Sequence, residues 1–231
     1  VLLLMRANPD MLLTRCHSGS CPLHCAAEAQ KREALGVVHI LASACPDALQ
    51  SRDDRGCLPL HRAAAHSNVP GVVQQLLSAY PAAATTPNDI GDLPVHLAAS
   101  NSKLPETLQL LLPGQHLKRN NFGCCPLHLA AWRNTAKGAA VVRSLLELPG
   151  AAEAAKAVDH FGMLPLHYAA CRADDGDTLC LVARAYAKGV SHRSNHGRVP
   201  FEMADRHSSC YRALKKAYEA GRWCESDEEI L

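Results

Sequence analysis

CPLHCAA, residues 21–27, combines Cys and His in a way that suits either a metal site or one copy of a structural repeat. Related segments follow at LPLHRAA 58–64, LPVHLAA 93–99, CPLHLAA 125–131 and LPLHYAA 164–170, with a diverged copy, VPFEMAD, at 199–205. Their prolines are separated by 37, 35, 32, 39 and 35 residues, and such a period is typical of stacked repeats. Pro and Ala persist while the flanking Cys vary, so the motif predicts structure.

The composition sets limits on the class of protein. Of 231 residues, 48% are apolar but only 4% aromatic, which suits small side chains packed between thin helices. The net charge of +2 does not identify a class of partner. No run reaches the ~18 apolar residues of a membrane helix. The eleven Cys are odd in number and lack a regular ladder spacing. We therefore expect reduced thiols and a cytoplasmic or nuclear location.

Each copy is predicted to be a turn followed by two helices. Asp or Asn with Gly three residues later, as in Asp53 and Gly56, favours a turn. Proline then favours the first helical position, and Ala-Ala lets a neighbouring helix approach closely. The second helix is apolar on one wide face; its copies are VVHIL 37–41, VVQQLL 72–77, TLQLLL 107–112, VVRSLL 141–146 and TLCLVA 178–183. Several of these segments stop before a proline, which disfavours helix in the preceding residue.

This pattern resembles the ankyrin repeat over roughly residues 1–221. The resemblance implies an all-α repeat solenoid of stacked helix-turn-helix units, with short β-hairpin or loop fingers. We predict that 1–18 is the C-terminal half of a preceding repeat and that 19–221 is the repeat array. Repeats are predicted to start near 19, 53, 88, 120, 159 and 194, the last being a C-terminal cap, and 222–231 is predicted to be a disordered acidic tail.

The copies depart from the family at the residue before the proline, where the family usually has Thr. This position holds Cys21, Leu58, Leu93, Cys125, Leu164 and Val199. Each helix therefore loses a hydroxyl cap worth ~1 kcal/mol. The last copy also has Glu202 where the others have His.

The recurring His has two interpretations. The resemblance implies that each ring bonds to the backbone of the adjacent finger, whereas a row of metal ligands would need shorter spacing than one repeat step. Cys21-x-x-His24 remains open as a zinc or redox alternative, although CCPLH at 124–128 indicates that such pairs arise by drift of the repeat. No nucleophile elbow or phosphate-binding loop occurs, so we predict no enzyme activity and no cofactor.

The resemblance implies binding of another protein through the finger tips and first helices, as a scaffold or adaptor module. Aromatic residues and Arg, which most often anchor interfaces, are concentrated in the fourth and fifth copies. The predicted partner-binding residues are Arg62, Leu97, Phe122, Leu129, Trp132, Arg133, Phe161, Tyr168 and Arg172. A repeat region that regulates a larger enzyme or channel is the remaining alternative.

Charge is unevenly distributed near the C-terminus. Residues 184–222 contain nine Lys or Arg and three Asp or Glu, whereas the stretch 225–229 is acidic. The basic residues are not interleaved with stacking aromatics, which argues against nucleic acid. We expect a monomer whose partner is another protein.

Overall fold

A computed structural model of the chain describes residues 9–101, 105–133, 136–171, 176–224 and residue 227. Within these ranges the backbone forms α-helices, short 3-10 helices and turns, and no strand is present. The chain divides into two compact units, Val1–Gln115 and His116–Leu231. Both consist of repeated helix pairs, so the predicted all-α repeat fold is confirmed. No helix in the described ranges combines the length and the apolar character needed to cross a bilayer.

Each repeat begins with a five-residue turn, which we call a finger. In the second finger, the Asp53 N–H donates to the Cys57 carbonyl at 3.0 Å and the Gly56 N–H donates to the Asp53 carbonyl at 2.9 Å. The same two bonds close all six fingers, which are 16–20, 53–57, 88–92, 120–124, 159–163 and 194–198. Of the two finger forms that the sequence allowed, the described residues therefore adopt the loop.

The first helix of each pair starts at the repeated proline. Proline is tolerated there because the N–H group at the first helical position makes no intrahelical hydrogen bond in any case. In the first unit the helices are α1 (Pro22–Glu28), α2 (Ala34–Ala44), α3 (Pro59–His66), α4 (Pro70–Ala79), α5 (Pro94–Asn101) and α6 (Pro105–Leu111). Short 3-10 helices cover Pro9–Leu13, Pro46–Gln50 and Pro81–Thr85. Helix α2 ends at Ala44 because Cys45, which precedes Pro46, leaves the helical region with φ −141° and ψ 88°.

The second unit continues the same pattern. Its helices are α7 (Pro126–Ala131), α8 (Ala136–Leu146), α9 (Ala151–Lys156), α10 (Pro165–Cys171), α11 (Gly176–Ala185) and α12 (Ser209–Glu219). Two 3-10 helices cover Ala187–Ser191 and Pro200–Met203. The last of these replaces the first helix of the sixth repeat.

The core of each unit is made by stacking like helices. In the first unit α3 packs between α1 and α5, and α4 packs between α2 and α6. Ala63 and Ala64 are fully buried at the first of these contacts, where small side chains allow close approach. In the second unit α10 packs against α7, and α11 packs against α8. Short helices of this kind depend on such neighbours for most of their stability.

The repeated histidine connects its own helix to the next finger. His61 Nδ1 accepts a hydrogen bond from the Leu58 N–H at 3.1 Å, so the ring proton lies on Nε2. That Nε2 donates to the Asp92 carbonyl at 3.1 Å. The matching Nε2–carbonyl bonds are His24 to Cys57 at 2.9 Å, His128 to Met163 at 3.2 Å and His167 to Arg198 at 3.2 Å. The ring bond to the finger backbone that the family resemblance implies is therefore present.

The same histidines compensate in part for the missing hydroxyl caps. Where the residue before the proline is Leu58 or Cys125, its side chain makes no capping bond to the helix. The histidine three residues later instead accepts the backbone N–H of that residue, which is the reverse half of a capping box. In the sixth repeat Glu202 Oε2 accepts the Val199 N–H at 2.9 Å, so Glu takes over this role.

Successive fingers contact each other through their glycines. Gly162 has φ +70°, and the Asn195 N–H of the next finger donates to the neighbouring Phe161 carbonyl at 2.8 Å. A Cβ added to Gly162 would lie only 2.9 Å from the Asn195 nitrogen. Gly197, in the last finger, has φ +74° but nothing in the described residues within 4 Å of such a Cβ. Both sites therefore need glycine for its positive φ. Gly162 also needs it because a side chain would collide with the next finger.

The C-terminal helix closes the second unit. Ser208 Oγ accepts the Tyr211 N–H at 3.1 Å and caps α12, which buries Leu214 on its inner face. Beyond the helix, the Trp223 N–H donates to the Ala187 carbonyl at 3.0 Å and its side chain is buried. Asp227, also buried, lies 3.2 Å from Lys216 Nζ. The predicted tail thus includes two buried positions, and its residues 225–226 and 228–231 lie outside the described part of the chain.

Candidate functional site

An apolar groove of about 260 Å³ lies on the finger and first-helix side of the second unit. We call it the aromatic groove. Its lining residues are Asn120, Phe122, Cys124, Leu129, Trp132, Phe161 and Tyr168. Phe122, Trp132 and Phe161 each expose between 43% and 47% of their surface, a large fraction for aromatic side chains.

The fingers hold the two phenylalanines in place through their first residue. Asn120 Oδ1 accepts the N–H groups of Phe122 and Cys124, each at 3.0 Å. Asp159 Oδ1 accepts the N–H groups of Phe161 and Met163, each at 2.8 Å. Each finger backbone is therefore tied to a side chain at its base, and the aromatic ring projects from a fixed tip.

Tyr168 supports one wall of the groove. Its hydroxyl donates to Asp159 Oδ2 at 2.6 Å and lies 3.3 Å from Cys124 Sγ. Burial, and to a smaller extent the hydrogen bond to Asp159, raises the pKa of Tyr168 far above its usual range, so the hydroxyl stays protonated. The Tyr168 ring meets Trp132 edge to face, with ring centroids 5.8 Å apart. This contact orients the exposed indole.

Replacing Tyr168 with Phe is expected to lower the free energy of unfolding by about 2 kcal/mol, because the buried Asp159 Oδ2 would lose the hydrogen bond that it accepts from the Tyr168 hydroxyl. The ring and its contact with Trp132 would remain. Urea unfolding of both proteins measures the difference. Equal stability would indicate that water replaces the hydroxyl without cost.

A second groove of about 550 Å³ shares the lining residue Phe161 with the first. We call it the methionine groove. Its lining residues are Phe161, Met163, Ser194, His196, Arg198 and Met203. Among the residues lining these two grooves, Arg198 is the one with a charged side chain. Sequence reasoning missed Arg198, although the fifth finger position holds no other cation in the six copies.

The first unit has a larger and more polar groove of about 620 Å³. Its lining residues are Asp54, Arg55, Cys57, Arg62, Ala65, His66, Asn88, Asp89, Ile90, Leu97 and Asn101. Arg62 is tied to its own finger, because Nε donates to Asp53 Oδ2 at 2.7 Å. Burial opposes ionisation of Asp53, yet the N–H groups of Arg55 and Cys57 and the Arg62 side chain lower its pKa. Much of the Arg62 hydrogen-bonding capacity is therefore used within the fold.

The predicted binding residues thus fall into separate places. Phe122, Leu129, Trp132, Phe161 and Tyr168 share the aromatic groove, and Arg62 and Leu97 line the groove of the first unit. Arg133 follows Trp132 and is half-buried, and burial lowers its pKa. Arg172 lies outside the described residues.

The Cys-His pairs that suggested metal binding are used internally. Cys21 Sγ lies 3.0 Å from His24 Nδ1, but this nitrogen also accepts the Cys21 N–H and Nε2 donates to the Cys57 carbonyl. Both ring nitrogens are therefore engaged within the protein. Burial opposes both charges of the Cys21–His24 pair, yet the bond between the two side chains lowers the pKa of Cys21 and raises that of His24. In the Cys125–His128 pair burial prevails: it raises the pKa of Cys125 and lowers that of His128 to about 4, so that pair is neutral. In the described ranges, no three His, Cys, Asp or Glu are grouped to hold a metal ion.

Fold and grooves together define an all-α repeat protein with an exposed apolar face. A family model described as ankyrin repeats in three copies matches residues 64–151 and 95–189, which together cover more than half of the chain. The chain belongs to the ankyrin repeat family. A search of curated proteins found no significant match. Ankyrin repeats are generally protein–protein interaction modules and are typically not enzymes.

Proposed function

We propose that this chain binds another protein as a scaffold or adaptor module and that the aromatic groove is the primary contact. The single observation that carries the proposal is the grouping of Phe122, Trp132 and Phe161, all substantially exposed, around one apolar groove. Exposing aromatic surface to water is unfavourable, and contiguous exposed apolar patches mark interaction sites more often than scattered ones do.

The rigidity of the groove supports this assignment. Phe122 and Phe161 are on fingers with internally satisfied backbones, and Trp132 rests against Tyr168. Because these side chains are already ordered, binding a partner would cost little side-chain entropy on this protein. Trp and Tyr are also the residues that most often dominate binding energy at interfaces.

Trp132→Ala is expected to weaken binding of the partner by about 2 kcal/mol, roughly 30-fold in Kd. The partner is first captured from native extract on immobilised wild-type protein and identified. Its affinity for the purified wild type and for the variant is then measured by isothermal titration calorimetry. Circular dichroism at the assay temperature checks that the variant is folded.

Leu117→Ala is the matched control. Leu117 is an apolar residue of the second unit with 43% of its surface exposed, like Trp132, but it lines none of the three grooves. This variant is expected to bind with wild-type affinity. A partner that binds Trp132→Ala as tightly as wild type would refute the aromatic groove as the contact site.

A further inference from the structure

We infer that the partner segment is acidic as well as apolar. It would place one apolar side chain in the aromatic groove, a second in the methionine groove, and a carboxylate at Arg198. This inference rests on the proposed function, since it specifies the chemistry of the same binding partner. The observation behind it is that Phe161 lines both grooves and that the one charge along them is a cation.

Phe161 is a fixed lining residue of both grooves. Its N–H donates to Asp159 Oδ1 at 2.8 Å, and its carbonyl accepts the Asn195 N–H of the next finger at 2.8 Å. Both backbone groups are thus occupied, and 45% of the residue surface remains exposed. A bound chain that packs against Phe161 would lie next to both grooves.

The methionine groove suits an apolar side chain of variable shape. Met163 and Met203 line it, and both are only partly exposed. Methionine is unbranched and polarisable, so it adapts to different apolar partners. The aromatic groove, with its rigid rings, is expected to be the more selective of the two.

The cation beside these grooves, Arg198, has no partner for its charge among the described residues. Arg198 is exposed, and its side chain makes no hydrogen bond or ion pair with any residue that the structure describes. Asp159, the carboxylate at the base of the same face, is already occupied by two backbone N–H groups and by the Tyr168 hydroxyl. A carboxylate from the partner would give Arg198 a charge-assisted hydrogen bond, which a neutral or basic segment cannot offer.

The finger tips add a second argument for an acidic partner. In the second unit the tip residues 121–122, 160–161 and 195–196 contain no Asp or Glu. In the first unit the corresponding positions include Asp54 and Asp89. An acidic segment would therefore meet no like charge at the tips of the second unit.

A peptide fits this surface better than a nucleic acid. Nucleic-acid binding draws most of its affinity from several cations that neutralise phosphates. Here one cation accompanies residues such as Leu129, Met163 and Met203 along the two grooves. Apolar side chains of a polypeptide match that chemistry.

The test begins with a random peptide display library selected on the immobilised full chain. One selected peptide is then synthesised in three forms: as found, with its acidic residue changed to the amide, and with that residue changed to Lys. Fluorescence anisotropy measures the binding of each form to wild type, Arg198→Gln, Arg198→Glu and Trp132→Ala. Arg212→Gln is the matched control, because Arg212 is exposed on α12 and lines neither groove.

Selected peptides are expected to combine two apolar residues with Asp or Glu. Changing the acid to the amide should weaken binding to wild type roughly tenfold and should have little effect on binding to Arg198→Gln. Arg198→Glu should prefer the Lys peptide, and Arg212→Gln should behave as wild type. Apolar peptides that need Trp132 but show no preference for acid would overturn this inference and leave the proposed function standing. A selection in which no peptide depends on Trp132 or Arg198 would overturn both.

Discussion

Acidification from pH 6.5 to about 4 is expected to remove several kcal/mol from the stability of the repeats. The pKa values of His61, His128 and His167 fall from the ordinary 6.5 to about 4, mainly because these rings are buried. The hydrogen bonds of these rings also disfavour protonation in the folded state. Nδ1 of each ring accepts the N–H of the residue before the proline, so a proton added there would replace an acceptor with a second donor.

The stability depends on pH because the folded and unfolded states bind different numbers of protons at the same pH. In the unfolded chain these histidines take up protons near pH 6.5, whereas in the folded chain they do so only near pH 4. Between these values the unfolded state binds more protons, so stability falls as the pH falls. The full contribution is present above pH 6.5, and each ring accounts for about 3 kcal/mol. Asp53, whose pKa is lowered from 3.8, loses its contribution only below this window.

Urea unfolding at a series of pH values between 7 and about 4 would measure the effect. His128→Gln is the informative variant, because Gln can still accept the Cys125 N–H, as Glu202 accepts the Val199 N–H in the sixth repeat. It should lose about 3 kcal/mol of pH dependence over the window. His66→Gln, which changes an exposed histidine at the end of α3, should keep the wild-type profile. Parallel profiles for wild type and His128→Gln would contradict this account.

Gly162→Ala is expected to destabilise the second unit by about 3 kcal/mol. Part of this, about 1 kcal/mol, is the cost of a side chain at φ +70°. The remainder arises because the new Cβ would lie 2.9 Å from the Asn195 backbone nitrogen, which cannot move without breaking its bond to Phe161. The fingers would therefore have to separate.

Gly197→Ala distinguishes the cost of the positive φ from the cost of the contact with the next finger. Gly197 has nearly the same φ, +74°, but it is in the last finger, and no described atom lies near the added Cβ. This variant should lose only about 1 kcal/mol. Thermal and urea unfolding of both variants gives the comparison. Equal losses would mean that the finger contact relaxes and that conformation alone requires glycine.

Local sequence was sufficient for the repeat itself. The proline that starts each first helix and the histidine three residues after the cap act within one turn, so their spacing carries the information. The finger pattern of Asp or Asn with Gly is equally local, because the side-chain oxygen at the first position accepts N–H groups two and four residues later. Family membership followed from these features and is confirmed.

The sites were less predictable, because they depend on pairs of positions. Arg62 and Tyr168 occupy the same place in their helices, and each bonds to the carboxylate nine residues earlier in its own finger. The sequence marked both as binding residues, but it did not indicate this internal bond. Trp223 and Asp227 were assigned to a tail, yet they are buried through contacts with Ala187 and Lys216.

The sequence by itself determined that this chain forms stacked ankyrin repeats, because caps, turns and helix starts are set by neighbours within a few residues. Only the tertiary structure decided which exposed aromatics share a groove, that Phe161 also lines a second groove, and that Arg198 is the charged residue of that second groove. The physical reason is that these side chains come from different fingers and helices. Their proximity depends on the stacking of whole repeats, which no single repeat encodes.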